Sequence, residues 1–320
     1  MTPILSICIP NFNHGQVLGQ TLDAVFCQDL NGVEVLVSDN ASNDNSMNEI
    51  NRFSDHPQLR VFRQPSTIPM AENWNYLVKS ANTPWIIVLC SDDILLPGSL
   101  ARLIKAAQSQ DAQAVFFEYD FLINQQRVDK VPFYQSSALI PGMRQAEIFL
   151  KGNNFPLSAC MFRRDLIQQI SWFDESKHFC TDWHAWLNMS AIAKQVLYID
   201  EPLLLYRHHA ANETNRCVRD LLALEEVIAM KDEFISRQEI TNRSILWGAC
   251  SNNLKLAVLY TNQMAEKGFS NAAEHYRGQA SELEQQLVKL GPSPNSIAAG
   301  APYPLPEQAE PVKSANLCLR

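Results

Sequence analysis

The chain has 320 residues, of which 46% are hydrophobic, and this is enough to bury the core of one large domain or two moderate ones. Its formal net charge is −8, and the charged side chains are interspersed without a Lys/Arg-rich block, so a nucleic-acid partner is not expected. The sequence lacks a signal-peptide start, a membrane-length apolar run and a CxxC pair, which predicts a cytoplasmic chain, either free or peripheral to the inner membrane face.

Short β-rich runs alternate with segments of helical period over the first 120 residues. This is the pattern of βα units, which build a mainly parallel sheet. Apolar residues recur at helical spacing from Val17 to Phe26, within residues 70–81 and again from residue 99 onwards. The predicted strands cover residues 4–9, 33–38, 59–63, 85–90 and 114–118.

The alternation fails after residue 120, and the chain up to residue 141 is predicted to be a connection across one end of the sheet. Helical segments follow it, and then two short closing strands at 195–200 and 202–209. Helical stripes continue to residue 290, whereas the remaining residues are rich in Pro, Ser, Ala and Asn. We therefore predict an α/β domain at 1–210, a C-terminal helical region at 211–290 and a disordered tail at 291–320.

Polar side chains follow three of the predicted strands at the points where the strands end. They form the segments PNFN (10–13), SDNASND (38–44) and SDD (91–93). Ligands of open α/β sheets bind outside the carboxyl ends of the strands, although Asn and Asp are also common in loops and at helix N-termini. Three converging segments favour a binding site over three separate turns.

The Gly-rich motifs that cradle phosphates, GxGxxG and GxxxxGK[ST], do not occur at any βα junction. A diphosphate would therefore need another positive group, and a divalent cation held by carboxylates supplies one. The missing Gly-rich, basic loop after the first strand also argues against a nucleotidyltransferase.

The motifs together resemble a known family. SICIPNFNHGQVLGQTLDAVFCQ, VEVLVSDNASND, WIIVLCSDDILLPGSL, CTDWHAWL and EPLLLYRHH are similar, in this order, to segments of the family 2 glycosyltransferases. The resemblance covers residues 3–210. It implies a GT-A fold, which is a nucleotide-binding, mainly parallel sheet flanked by helices, here with a C-terminal helical appendage.

The same resemblance implies a metal site at the SDD segment. Asp93 would be the direct ligand of Mn²⁺ or Mg²⁺, and Asp92 would contact the ribose or the donor sugar. Ser91 stands where the family often has Asp. Arg207 and His209 would contact the diphosphate or the metal, with surface exposure after an edge strand as the equal alternative.

Nucleotide contacts are implied for the two loops at the ends of the first two strands. Asp39 would bind the base with Asn40 beside it, and Pro10 and Asn11 would line the nucleotide pocket. Asn13 would either line that pocket or cap the next helix. The resemblance does not extend to the choice of base or sugar.

Asp182, in CTDWHAWL, matches the position of the family's catalytic base, and the alternative is a helix cap. The implied activity is inverting, metal-dependent transfer of a sugar from a nucleotide-diphosphate-sugar to a hydroxyl of a glycan, polysaccharide or lipid-linked saccharide. The second hypothesis is a catalytically inactive nucleotide-sugar or glycan binding module, because Ser91, Thr181 and Trp74 depart from the family pattern. The acceptor and the oligomeric state stay open.

Overall fold

A mixed sheet of eleven strands, flanked by helices, organises the part of the chain that the structure describes. The structure is a computed structural model, and it describes residues 3–109, 111–208, 213–294 and 302–312. The strands are β1 (Leu5–Asn11), β2 (Val33–Asp39), β3 (Leu59–Arg63), β4 (Trp85–Val88), β5 (Ile94–Leu95), β6 (Ala114–Ile123), β7 (Gln126–Val128), β8 (Ala138–Pro141), β9 (Cys160–Arg163), β10 (Gln195–His208) and β11 (Glu310–Pro311). Their order across the sheet is β3-β2-β1-β4-β9-β6-β10-β8-β11, with β5 beside β10 and β7 beside β6.

β1 lies inside the parallel part of the sheet, between β2 and β4. Its apolar residues are fully buried, which explains why this strand reads as an almost continuous hydrophobic run. The register sets Asn11 opposite Asp39, so the polar residues at the ends of β1 and β2 meet at one edge. Antiparallel pairs formed by β5, β7, β8, β9 and β11 make the rest of the sheet mixed.

The helices cover the sheet, and those at the C-terminal side also pack on one another around a second apolar cluster. They are α1 (Leu18–Phe26), α2 (Ser46–Asn51), α3 (Met70–Ser80), α4 (Ser99–Ser109), α5 (Gly142–Phe149), α6 (Arg164–Gln169), α7 (Thr181–Ile192), α8 (Glu213–Arg219), α9 (Leu222–Arg237), α10 (Arg243–Glu266) and α11 (Ser270–Leu290). Among the described residues, none of these helices combines the length and the apolar character needed to cross a membrane.

The predicted α/β sheet flanked by helices is confirmed, with differences at the ends of elements. All five predicted strands are present, and the largest difference is in β6, which continues to Ile123. The predicted connection at 120–141 contains β7 and β8. The two predicted closing strands are one strand, β10, whose pairing with β6 shifts register between Ile199 and Leu204. Pro202 lacks an amide hydrogen, which accounts for the bulge that interrupts the pattern.

Part of the predicted disordered tail at 291–320 is ordered. Within residues 302–312, β11 pairs with β8 at the edge of the sheet. The Tyr303 ring stacks on Phe133 with ring centroids 4.9 Å apart, and the Tyr303 amide donates to the Phe133 carbonyl over 2.7 Å. An aromatic anchor and a short strand therefore hold this segment where composition alone indicated disorder.

The helical region is fixed to the α/β domain by apolar packing and by a buried lysine. Val227, Met230 and Phe234 of α9 belong to the same apolar core as the sheet. Lys231 is fully buried, and its Nζ donates to Asn252 Oδ1 and Asn253 Oδ1 of α10 over 2.7 and 2.6 Å. The same ammonium lies 4.8 Å from the centre of the Trp183 ring on α7. Burial lowers the pKa of Lys231 to about 7.

We expect Lys231→Met to change the pH dependence of stability. Between pH 7 and the unfolded-state value of 10.5, the unfolded chain binds a proton at Lys231 that the folded chain does not. The free energy of unfolding of the wild type, minus that of Lys231→Met, should therefore rise with pH by about 1.4 kcal/mol per unit within this window. Below pH 7 the difference between the two free energies of unfolding should be constant.

The measurement is urea unfolding of both proteins from pH 6 to 9.5. Lys289→Met is the matched control, because Lys289 is exposed at the end of α11. It should give a constant difference throughout. A constant difference for Lys231→Met as well would mean that burial does not lower its pKa.

Candidate functional site

A cleft of about 540 Å³ opens at the carboxyl ends of β1, β2 and β4. It lies where the sequence predicted a binding site, because parallel neighbours end at the same edge of the sheet. Its lining comes from the loops after these strands, from α3, from the turn before β9 and from the start of α7. The lining residues are Pro10, Asn11, Phe12, His14, Asn40, Thr67, Ile68, Met70, Asn73, Trp74, Cys90, Ser91, Asp92, Pro156, Leu157, His178, Phe179, Asp182 and Tyr206.

Asn11 and Asp39 hold the first two loops together. Asn11 Nδ2 donates to Asp39 Oδ1 over 2.9 Å and to Ser42 Oγ over 3.2 Å. Asp39 is fully buried and also accepts from the Ser42 amide over 3.1 Å. These contacts lie within the protein, and the base contact of Asp39 stays a prediction. Asn11 Oδ1, by contrast, is buried at the cleft without a hydrogen-bond partner among the described residues.

Asn40 and Asn13 both fix loops rather than reach freely into solvent. The Asn40 side chain donates to the Ile68 carbonyl over 2.8 Å and accepts from the Ile68 amide over 2.9 Å, while Asn40 also lines the cleft. Asn13 has a φ of 55° and accepts from the Asn43 amide over 2.9 Å. It does not cap α1, since Val17 is the residue that precedes this helix.

His14 is a cleft residue that the sequence analysis missed. Its Nδ1 lies 2.8 Å from Ser91 Oγ, and the Ser91 carbonyl accepts from Thr21 over 2.9 Å. Ser91, which replaces a common acid, therefore links the first loop to the SDD segment. The available signal was the position of His14 directly after PNFN, but nothing in the sequence paired it with Ser91.

Asp92 and Asp93 face different surroundings although they are adjacent. Asp92 is half-buried and lines the cleft. Asp93 is fully buried; its Oδ2 accepts from the Ser158 hydroxyl over 2.6 Å and its Oδ1 accepts from the Arg207 amide over 2.9 Å. Burial, and then the neighbouring Asp92, raise the pKa of Asp93 well above its ordinary value. Its carboxylate lies within 4.8 Å of the ligand atoms of Cys90 and Asp92, and the direct metal contact of Asp93 stays a prediction.

Arg207 supports the SDD segment from behind. Its Nε donates to the Asp92 carbonyl over 2.7 Å, and a terminal nitrogen donates to Gln20 Oε1 over 2.7 Å. These contacts use two of the five N–H groups of the guanidinium, and its contact with the diphosphate stays a prediction. His209, the other predicted ligand, lies outside the described residues.

Asp182 stands at the start of α7 and lines the same cleft as the loops after β1, β2 and β4. It is the second residue of the helix, which begins at Thr181, so it does not occupy the cap position. Its carboxylate accepts from the Trp183 amide over 2.6 Å and from the Asn153 side chain. Burial raises the pKa of Asp182 to about 6, against the lowering effect of these hydrogen bonds.

The donor atoms beside Asp92 fit a divalent cation. Ligand atoms of Cys90, Asp92 and Asp93 lie within 4.8 Å of one another. Burial, with Asp93 and Asp92 nearby, raises the pKa of the Cys90 thiol well above its ordinary value, so the sulfur stays protonated. Mg²⁺ and Mn²⁺ prefer oxygen, which leaves the Asp92 carboxylate as the ligand that faces the cleft.

Two solved structures are similar to this one in fold. S. aureus TarS 1–349 in complex with UDP-GlcNAc aligns over 88% of this chain and 92% of its own, with a TM-score of 0.60 and 14% identity. The mannosyltransferase PcManGT from Pyrobaculum calidifontis, in complex with GDP-Man and Mn²⁺, aligns over 91% and 86%, with a TM-score of 0.53 and 16% identity. The fold is that of the GT-A glycosyltransferases.

The sequence itself agrees with this class. The model of glycosyl transferase family 2 matches residues 6–171, and the chain belongs to this family. An uncharacterized glycosyltransferase of Nostoc sp. is 23% identical over 65% of this chain and 66% of its own length. An uncharacterized protein of Mycobacterium tuberculosis is 25% identical over 80% of each. The protein is a glycosyltransferase, as the motifs predicted.

Proposed function

We propose that the protein is an inverting glycosyltransferase that uses a divalent cation and transfers a sugar from a nucleotide-diphosphate-sugar to a hydroxyl acceptor. The observation that carries this proposal is the placement of two carboxylates, Asp92 and Asp182, in the wall of one cleft at the carboxyl ends of the strands. One lies at the SDD segment and the other at the start of α7. A donor between them would meet a cation ligand and a base.

Asp182 has the properties of a general base. In the reaction the acceptor oxygen forms a bond to the anomeric carbon, and the bond from that carbon to the diphosphate breaks. The diphosphate leaves with the electron pair, and the acceptor proton passes to Asp182. A pKa of about 6 keeps the carboxylate largely ionised at neutral pH while making it more basic than an exposed Asp. One displacement of this kind inverts the anomeric configuration.

We assign the cation contact to Asp92 in place of Asp93. Asp92 is half-buried and lines the cleft, whereas the Asp93 side chain is fully buried. Mn²⁺ or Mg²⁺, when bound, would neutralise the charge that develops on the departing diphosphate. Arg207 and Ser158 would keep the SDD segment in place, since they bind Asp92 and Asp93 from the protein side.

The nucleotide would bind along the loops at the ends of β1 and β2. Pro10, Asn11 and Asn40 line this side of the cleft, and Asn11 Oδ1 needs a hydrogen-bond donor. A buried acceptor without a partner is costly, and an N–H or O–H of the base or ribose would satisfy it. Asp39 would act through Asn11, whose amide it orients over 2.9 Å.

The departures that motivated an inactive binding module do not remove this machinery. Ser91 Oγ binds His14, and Thr181 Oγ1 donates to the Lys177 carbonyl over 3.0 Å at the start of α7. Trp74 lines the cleft and packs edge-on against Phe173. All three have structural roles beside the carboxylates, so transfer is favoured over binding alone.

The proposal is tested by measuring release of nucleoside diphosphate from a panel of nucleotide sugars, with Mn²⁺, with Mg²⁺ and with EDTA. We expect one donor to be hydrolysed slowly in the presence of a divalent cation, and the free sugar to appear first as the inverted anomer by NMR. Release at an equal rate in EDTA would contradict the cation requirement. A product that keeps the donor's configuration would contradict the single displacement.

A further inference from the structure

A second cleft, of about 470 Å³, shares Asp182 with the cleft at the carboxyl ends of β1, β2 and β4, which is called the donor cleft below. Asp182 lines both clefts, and so do Pro156, Phe179 and Tyr206. A hydroxyl bound in the second cleft would therefore approach the same carboxylate that borders the donor. The second cleft is positioned to hold the acceptor, an argument that rests on the function proposed above.

One wall of the second cleft is built by the helical region. Asn252, Leu256 and Tyr260 follow one another at four-residue intervals along α10, so they lie on one face of the helix. Lys255 lies beside them and also lines the cleft. All four stand beyond residue 171, where the match to the family model ends.

Two lysines give this cleft a positive charge in a protein whose net charge is −8. Lys151 and Lys255 line it, and Asp182 is the one acid among its described lining residues. Across the described ranges, neither ammonium group takes part in an ion pair or a hydrogen bond, although the charge of Glu147 acts on Lys151. The aliphatic part of the Lys151 side chain packs closely against Gly248 of α10. A Cβ atom at position 248 would lie only 2.8 Å from Lys151 Cγ.

Asn252 adds a third hydrogen-bond donor. Its Oδ1 is occupied by Lys231 Nζ, which leaves the Nδ2 amide hydrogens for the cleft. Three donors and two positive charges therefore line one cleft, and such groups are suited to the oxygens of an anion. The aromatic rings of Phe179, Tyr206 and Tyr303 complete the walls with surfaces on which sugar rings can pack.

We infer that the acceptor is an anionic glycan or polyol, bound with its hydroxyl at Asp182 and with a phosphate or carboxylate group between Lys151 and Lys255. The phosphate would come from a phosphodiester-linked chain and the carboxylate from a uronic acid. Both present oxygens of negative charge to the same two ammonium groups. Neutral acceptors lack this contact and bind more weakly.

The inference is tested by calorimetry on the full chain with a nucleoside diphosphate and Mn²⁺. The probes are glycerol-phosphate tetramers, uronic-acid tetramers and neutral hexose tetramers. We expect one anionic series to bind about tenfold more tightly than the neutral series, since hydrogen bonds to charged groups are the stronger ones. Which series binds identifies the source of the charge.

Lys255→Gln should remove most of this preference, and Lys255 is exposed, so the substitution leaves the core intact. Lys289→Gln is the matched control with the same change of charge on α11, and it should keep the preference. Equal binding of neutral and anionic tetramers would overturn the inference, as would equal losses in the two variants. Failure of every nucleotide sugar to bind or react would instead refute the proposed function.

Discussion

Replacing Asp182 by Asn should lower kcat for sugar transfer by about 10²–10⁴-fold, the range that a positioned general base contributes. Asn has nearly the same shape, and its carbonyl oxygen can still accept from the Trp183 amide. It cannot take the proton of the acceptor hydroxyl. Donor binding should therefore change little, so the loss should fall on kcat and not on the donor KM.

The pH profile of the wild type supplies a second readout. Because the base acts in its deprotonated form, kcat/KM should fall as the pH drops through about 6, the pKa to which burial raises Asp182. Asp165→Asn is the control, because Asp165 is exposed and pairs with Arg163 at the surface. It should leave both kcat and the profile unchanged. An Asp182→Asn enzyme with wild-type kcat would exclude Asp182 as the base.

Replacing Asp92 by Asn should abolish the cation dependence of donor binding. The lost carboxylate lines the cleft, and Asn has nearly the same shape, so the packing around this position should be kept. The affinity for Mn²⁺ with a nucleoside diphosphate should fall by more than the roughly 10–100-fold that is typical when an outer-shell partner is removed. Calorimetry with and without Mn²⁺ measures this loss.

Asp93→Ala should instead lower the stability of the fold. It would leave the Arg207 amide and the Ser158 hydroxyl without their buried acceptor, at about 1–3 kcal/mol for each group. Urea unfolding should therefore report a loss of stability of a few kcal/mol, on the order of the sum of the two. If Asp93→Asn removed Mn²⁺ dependence with stability unchanged, while Asp92→Asn kept that dependence, the assignment of the cation contact to Asp92 would be wrong.

The sequence was informative wherever a property depends on the spacing of residue types. Buried strands such as β1 and β4 are visible as apolar runs, and the three polar segments at the strand ends do converge on one cleft. The direction of a side chain is different, because neighbours in a turn point opposite ways. The sequence could not show which of Asp92 and Asp93 faces the cleft.

Contacts between distant residues were equally hidden. Ser158 lies 65 positions from Asp93 and binds its carboxylate, and no local pattern connects them. The same holds for Tyr303, in a Pro-rich segment that composition assigns to disorder but that stacks on Phe133. Tertiary packing decides such cases, and it overrides what composition indicates about a short segment.

The residues proposed to bind the donor and those proposed to bind the acceptor come from different parts of the chain. The nucleotide loops lie before residue 171, in the part that matches the family, while the wall formed by Asn252, Lys255 and Tyr260 comes from a helix outside it. With the acceptor bound as inferred, mutations on this face of α10 would change the binding of the acceptor and leave the binding of the donor unchanged. Evolution could then retain an inherited donor and diversify the acceptor, by exchanging helical regions among enzymes that keep the same sheet.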